Sequence, residues 1–294
     1  MVNIRKDHAI VNTHSDRTLF DRELRRRRRD LRARHRPNSS FLHELVETDI
    51  VDRLETTTKR FGKAVIYGSE SLSNTLTEQC GVEAVVLADD TPARLPRFET
   101  KLVFDEELSP IAPLSVDLIV SVLSLHAVND LIGALIQART ALKPDGLFIG
   151  ALLGGETLKQ QKIAVHGSEL EVTGRSSVRF SPLAHIKDLG AALQRAGFAL
   201  PVADVDRYEV TYSSARKMIS DLREMAETGY MEDRPPPLSK MSAGAILSNL
   251  PTDAVFEVIT LTGWAPSANQ QKPLAPGSGK VSLHDAILKS DRKA

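Results

Sequence analysis

Four short, almost uninterrupted apolar runs rich in β-branched residues recur along this chain, at residues 64–67, 84–88, 118–123 and 147–153. Helical patterns lie between them, over 72–80 and over 131–142, the second closed by Lys143-Pro144-Asp145-Gly146. A strand with one wet face alternates apolar and polar residues, whereas a strand that is apolar throughout is covered on both faces. Strands of the second kind alternating with helices predict an α/β fold, a doubly wound and mostly parallel sheet.

Further elements are expected on either side. Residues 41–61 read as a helix with Leu42, Leu45, Val46, Ile50, Val51 and Leu54 inward. Residues 182–196 read as another, with Pro182 in its first turn and Gly197 as its C-cap. Residues 198–205 and 208–212 suggest an antiparallel pair closing one sheet edge. Residues 215–227 are amphipathic, with Met218, Ile219, Leu222, Met225 and Ala226 on one face. After a break around Pro235-Pro236-Pro237 come a short helix at 243–249, a strand at 255–261 and a polar tail. The expected organisation is a basic N-terminal arm and helix (1–40), an α/β domain (41–214) and a C-terminal helical elaboration with its tail (215–294), packed on the same domain.

The basic N-terminal segment is unusual. Residues 1–17 are polar and aperiodic, and residues 25–29 are arginine throughout, with Asp21, Glu23 and Asp30 interspersed. Phe20, Leu24 and Leu31 fall at helical spacing, a thin apolar stripe that can dock on a domain. The run can bind phosphate backbones, but it lacks interleaved aromatics, and the whole chain balances 38 Lys and Arg against 38 Asp and Glu. A solvated or partner-binding helix is the expectation, and nucleic acid is not expected as a partner. The single cysteine, Cys80, builds neither an internal disulfide nor a zinc cluster, so no metal site is expected. No apolar run approaches the roughly 20 residues that span a bilayer, which leaves room only for peripheral membrane association. Residues 1–20 have no apolar core of a secretory signal and carry Asp7 and Asp16, so neither a secretory signal nor a mitochondrial presequence is expected and the expected location is cytoplasmic.

In open α/β sheets ligands sit at the carboxyl ends of the strands. The turn after the first strand holds Gly68, Ser69, Glu70 and Ser71, then Leu72. Only Gly68 lets a ligand approach the backbone closely, and on these residues alone a plain strand-to-helix turn is the expectation. Asp89, ending the second strand, suits a pair of ribose hydroxyls or, with Asp90-Thr91-Pro92, an ordinary turn. Asp105 can accept from an adenine amino group or belong to a solvated loop with Glu106 and Glu107. His126 follows the central strand, where it can act as a base, orient a substrate, or serve structure alone. Asn129 or Asp130 can cap the next helix. Gly154-Gly155-Glu156-Thr157 gives a close turn after the fourth strand.

Several of these stretches together resemble a known family. They are Phe20-Asp21-Arg22 with the basic residues after it, Ser124-Leu125-His126-Ala127-Val128-Asn129-Asp130, the Lys143-Pro144-Asp145-Gly146 turn, Gly154-Gly155-Glu156-Thr157-Leu158, Arg195-Ala196-Gly197-Phe198 and Gly263-Trp264. The chain resembles, over roughly residues 18–285, the methyltransferase-like assembly factors of respiratory NADH:ubiquinone oxidoreductase. These are class I S-adenosylmethionine folds, related more distantly to the malonyl-carrier-protein methyltransferase of biotin synthesis. The resemblance implies S-adenosylmethionine as cofactor, with Asp89 and Asp105 holding adenosine, Gly68 lining the cofactor turn and His126 facing the substrate. It implies a protein substrate or a subunit of the respiratory complex as partner. One family member is understood to hydroxylate an arginine.

The chain departs from the family pattern at the cofactor turn. Ile66 stands at the acidic position, and Glu70 and Leu72 stand where two further glycines are expected. Glu70 would bring charge toward the methionine carboxylate, or contact the ammonium group instead. Ala127 replaces an aromatic, which would open the substrate pocket. Three readings follow. The first is an S-adenosylmethionine-dependent methyltransferase acting on a protein or carrier substrate. The second is a non-catalytic or arginine-hydroxylating assembly factor with a degenerate cofactor site, meeting partners through the arginine helix and the methionine-bearing 215–227 helix. The third is an RNA-associated methyltransferase.

Overall fold

A computed structural model describes residues 18–35, 40–69, 71–95 and 100–270. The arm expected over 1–17, the break at 37–39, Glu70 and the polar tail beyond 270 lie outside them. In chain order the elements are α1 (Arg22–His35), α2 (Phe41–Glu55), β1 (Lys63–Tyr67), α3 (Leu72–Glu78), β2 (Ala84–Asp89), β3 (Lys101–Val103), β4 (Val116–Val122), α4 (Leu131–Ala141), β5 (Leu142–Leu153), α5 (Lys159–Thr173), α6 (Ile186–Arg195), β6 (Ala199–Thr211), α7 (Ala215–Glu224), α8 (Lys240–Asn249) and β7 (Asp253–Trp264).

The seven strands form one sheet in the order β3-β2-β1-β4-β5-β7-β6. The first five are parallel, and β7 and β6 add antiparallel at one side. Successive residues of the central strands feed opposite layers, as the unbroken apolar runs require. Ala64 and Ile66 of β1, with Leu118, Val120 and Val122 of β4, pack under α2 and α3. Val65, Tyr67, Ile119 and Phe148 pack with Leu135 of α4 and Leu189 and Leu193 of α6 on the other side. The order runs one way from β1 and the other way from β4, so the crevice between their carboxyl ends is the switch point of the fold.

Three local expectations are corrected, and one helix is added. In place of the two strands expected over 198–212 there is a single one, β6 (Ala199–Thr211), paired with β7 over most of its length from Ala199↔Trp264 to Thr211↔Asp253. Asp204, Asp206 and Arg207 look like a turn, but an edge strand keeps one face wet and tolerates them. Arg53 of α2 reaches Asp204 and Asp206 at 2.9 and 3.3 Å. Helix α6 starts only at Ile186, because the segment before it runs extended and its Ala184 carbonyl accepts from the Gly155 amide at 3.1 Å. Helix α5 has no sequence signal at all: its buried residues include Gln161, Ser168 and Glu169, while Ile163 and Leu170 are exposed. Those buried polar groups are satisfied, Gln161 by the Pro251 and Asp253 carbonyls and Glu169 by Arg179 at 2.6 Å. Finally, Met218 and Met225 of the 215–227 segment lie in the core, so that face is closed to the partner contacts expected of it.

Candidate functional site

Tyr67 ends β1, and Gly68 then turns the chain with φ +87°, beside β4. A Cβ there would lie 2.5 Å from the Val122 carbonyl oxygen, so glycine is needed for the strands to pass. The Gly68 amide donates to the Ala88 carbonyl at 3.1 Å, and its own carbonyl accepts from the Arg94 guanidinium at 2.8 Å. The following serines face a protein carboxylate. Ser69 Oγ donates to Glu47 Oε1 at 2.6 Å and Ser71 Oγ to Glu47 Oε2 at 2.8 Å. Ile66 and Leu72 are core residues, packed in the α2 and α3 layer.

The other strand ends carry a dense charge cluster, and α1 lies in it. Asp89 is buried at the end of β2, with Arg29 Nη2 at 2.6 Å, Arg94 Nε at 3.0 Å and the Thr91 amide donating at 3.2 Å. Arg29 Nε also faces Asp90 at 3.1 Å, an ion pair outside hydrogen-bond alignment. Arg22 grips Asp105 at 2.7 Å and bonds Glu106. Burial would weaken the Arg29 proton's hold, but Asp89 and Asp90 raise it well above the ordinary guanidinium value. Burial likewise pushes Asp90 up, yet Arg29 and Arg25 prevail and depress it to about 2. Arg22, Arg25 and Arg29 recur at intervals of three and four, which puts them on one face of α1.

Arg25 reaches deepest. It is 1% exposed, and its Nη2 donates to the Leu123 carbonyl at 3.3 Å and to Glu227 Oε1 at 3.4 Å. Its guanidinium stands over the Tyr230 ring, 5.6 Å from the centroid, and its Nη1 is 3.9 Å from Asp90. Its Nε and Nη1 have no hydrogen-bond partner. Glu227 also holds His126 Nε2 at 3.1 Å and accepts from the Tyr230 hydroxyl at 3.1 Å. Burial opposes the charge on Glu227, but His126 and Arg25 overcome it and keep this carboxyl well below its ordinary range. Burial and Glu227 push the Tyr230 phenol up, so it stays neutral and donates. His126 Nδ1 is buried with no partner. Nearby His43 is held down to about 3 by burial and by Arg94 and Arg29, and its Nδ1 meets Ser40 Oγ at 2.7 Å.

The structure therefore gathers Gly68, Asp89, Asp105 and His126 at one crevice, with partners that sequence reasoning missed: Arg94, Glu47, Glu227 and Tyr230. One expectation about α1 is corrected. Its buried side chains are Arg25 and Arg29; of the expected apolar stripe Phe20 docks, Leu24 is half-buried and Leu31 is 50% exposed, so the arginine face supplies most of the contact. The inward arginines are also turned away from any phosphate backbone, against the RNA reading; Arg26 and Arg27, on the outside, pair with Glu23. The space beside Ala127 is not open either, because Phe20 and Tyr230 fill it with rings 5.6 Å apart. Asn129 pins the start of this segment, accepting from the Leu19 and Phe20 amides at 2.8 and 2.9 Å. The helix cap is Asp130, which accepts from the Gly133 amide.

Comparison with known proteins agrees with this architecture. Residues 67–150 match the methyltransferase domain family. The chain is 32% identical to the mitochondrial arginine-hydroxylase NDUFAF5 of Danio rerio, over 91% of this chain and 89% of that one. It is also 32% identical to the Homo sapiens protein of the same name, over 92% and 84%. A malonyl-[acyl-carrier protein] O-methyltransferase of Laribacter hongkongensis is 31% identical over 61% of each chain. A Bacillus halodurans structure assigned to the methyltransferases superposes with a TM-score of 0.50 at 12% identity, covering 74% of this chain and 98% of that one. The fold is that of the class I S-adenosylmethionine-dependent methyltransferases. The animal relatives are mitochondrial, which overturns the cytoplasmic expectation.

With α1 docked, the residues present do not fit the cofactor this fold implies. Arg29 and Arg94 occupy the Asp89 carboxylate that would meet the ribose, and Arg22 occupies Asp105 on the adenine side. Arg94 occupies the Gly68 carbonyl, Glu47 takes the turn serines, and apolar Ile66 stands in place of a carboxylate for the ammonium group.

Proposed function

The chain belongs to the family of the NDUFAF5 arginine-hydroxylases, and from that premise we propose that its strand-end crevice receives an arginine side chain of a partner protein, a subunit of the respiratory NADH:ubiquinone oxidoreductase. One observation carries this reading: a guanidinium already occupies the crevice. Glu227 supplies charge, the Leu123 carbonyl accepts, and the Tyr230 ring offers a cation–π face. A lysine ammonium would lose the planar fork that lets one group meet a carboxylate and a carbonyl at once. His126 touches this site through Glu227, and in this reading it is a positioning residue that holds the carboxylate in place. Gly68, Asp89 and Asp105 serve the crevice by anchoring Arg94, Arg29 and Arg22.

The test is isolation of the tagged chain from its own cells, with quantification of respiratory-complex subunits by mass spectrometry. The expected result is enrichment of such a subunit, lost in Glu227→Gln. Enrichment of no such subunit, or equal enrichment by Glu227→Gln, overturns the reading. The alternative is methyl transfer from S-adenosylmethionine to a protein or carrier substrate, and it draws on the positions of Asp89 and Asp105. It requires Arg29 and Arg22 to leave those carboxylates. Calorimetry decides between them: our reading expects no saturable heat at about 1 mM cofactor, a limit of roughly 4 kcal/mol in affinity.

A further inference from the structure

The residue that fills the guanidinium site belongs to the chain itself. We propose that α1 is a displaceable internal occupant of the crevice, with Arg25 in the place of the partner's arginine, so that the chain stays closed until a competing arginine takes that place. This rests on the reading of the site as a receptor for arginine.

Two features point to an occupant that exchanges. The first is the quality of fit. Arg22 and Arg29 sit 2.7 and 2.6 Å from their carboxylates, whereas Arg25 makes contacts of 3.3, 3.4 and 3.9 Å. Two of its three nitrogens, Nε and Nη1, are buried without a hydrogen-bond partner. Unmade bonds on a buried charged group are costly, so a guanidinium free to settle in the site at its best angle competes well with one held by a helix. The second is the nature of the attachment. Both fully buried side chains of α1 are arginines, and only Phe20, just before it, contributes a buried apolar group. With little apolar burial the helix is held mainly by ion pairs and hydrogen bonds to Asp89, Asp90, Asp105, Glu106, Glu227 and the Thr228 and Gly229 carbonyls. An incoming guanidinium can meet the Glu227 carboxylate and the Leu123 carbonyl, the groups Arg25 now holds.

The closed form also explains why the cofactor groups find no partners in the crevice: α1 takes them. Displacement would uncover Asp89 and Asp105 together, because Arg29 and Arg22 leave on the same rigid helix as Arg25.

Hydrogen exchange on the wild-type full chain tests this without any substitution. N-acetyl-arginine amide at high concentration should accelerate exchange of the α1 amides several-fold. N-acetyl-lysine amide at the same ionic strength should not. No acceleration, or equal acceleration by the lysine compound, overturns the proposal. A second experiment uses a synthetic peptide of residues 20–35 as the probe. Arg25→Gln should bind it in trans more tightly than wild type does, and Glu227→Gln added to that variant should abolish the gain. Trans binding no better than wild type, or indifferent to Glu227, overturns it as well. Both probes carry known arginines, so a failure to find a respiratory partner would refute the functional reading while leaving these results to stand or fall alone.

Discussion

Arg29 is the strongest anchor of α1, and replacing it with methionine tests the docked geometry directly. Methionine keeps most of the side chain's length and removes the charge. Arg29 lies 2.6 Å from Asp89 and 3.1 Å from Asp90, and all three are nearly excluded from water. Removing one partner of a buried pair costs about 3–5 kcal/mol, because the remaining charge is stranded. Asp89 would keep Arg94 at 3.0 Å, whereas Asp90 would keep only Arg25 at 3.9 Å, so the lower end applies, about 3 kcal/mol. In a domain of this size that corresponds to a fall in Tm of roughly 6–12 °C. The matched control is Arg27→Met. Arg27 pairs with Glu23 at 2.9 Å but its side chain is 74% exposed, and such surface pairs are worth under about 1 kcal/mol. Urea unfolding with both midpoint and slope measured gives the comparison. If α1 lifts away in the variant, the carboxylates rehydrate and the global loss is capped, but trypsin then cuts faster within the arginine run. A midpoint shift no larger than that of Arg27→Met, with an unchanged trypsin rate, would refute the buried geometry.

Two further outcomes are expected. Gly68→Ala should cost more than about 2 kcal/mol, since it adds strain at φ +87° of roughly 1–3 kcal/mol to a clash with the Val122 carbonyl. Gly174→Ala, at φ +67° with open space around it, should lose only the strain, about 1 kcal/mol, and equal losses at the two sites would contradict the account. The second outcome concerns pH. The folded chain holds His43 at about 3 against an ordinary 6.5, so between those values the unfolded chain binds the extra proton and stability falls as the solution is acidified. The slope is at most about 1.4 kcal/mol per pH unit, and His43→Gln should flatten it from pH 6.5 downward. Glu227 is depressed in the folded state, so its contribution is complete above 4.5 and is lost only below that, where Glu227→Gln should flatten the curve instead. Denaturation midpoints across pH 3–8 would separate the two, and identical profiles for both variants would contradict the assignment.

The sheet was legible because its central strands are buried on both faces, which leaves runs such as 118–123 with no polar interruption. Once strand order is known, the positions of Gly68, Asp89, Asp105 and His126 at strand ends follow from the chain alone. The orientation of α1 did not. Its sequence offers two faces, a sparse one with Leu24 and Leu31 and a charged one with Arg22, Arg25 and Arg29, and local pattern favours burying the first. The choice is made by carboxylates elsewhere in the chain, from Asp89 to Glu227, whose convergence only the fold reveals. Helix α5 was hidden for a related reason. Gln161 and Glu169 are buried because the Pro251 and Asp253 carbonyls and Arg179 happen to face them, and no periodicity announces such a partnership.

The docking of α1 joins residues very far apart in the chain. Arg25 and Glu227 are 202 positions apart, and Arg28 and Thr228 are 200 apart. Phe20 bridges to Met231, one residue past Tyr230. At the pace of synthesis, about 5–20 residues per second, the basic helix waits roughly 10–40 s on the ribosome before its last partners are made. Contacts of such separation are also the slowest to close once the chain is free. The first helix made is therefore the last to be seated. An unseated polybasic helix beside ribosomal RNA is a hazard to folding, one that the acidic residues Glu23 and Asp30, already paired with Arg26, Arg27 and Arg34 within the helix, partly offset from the start.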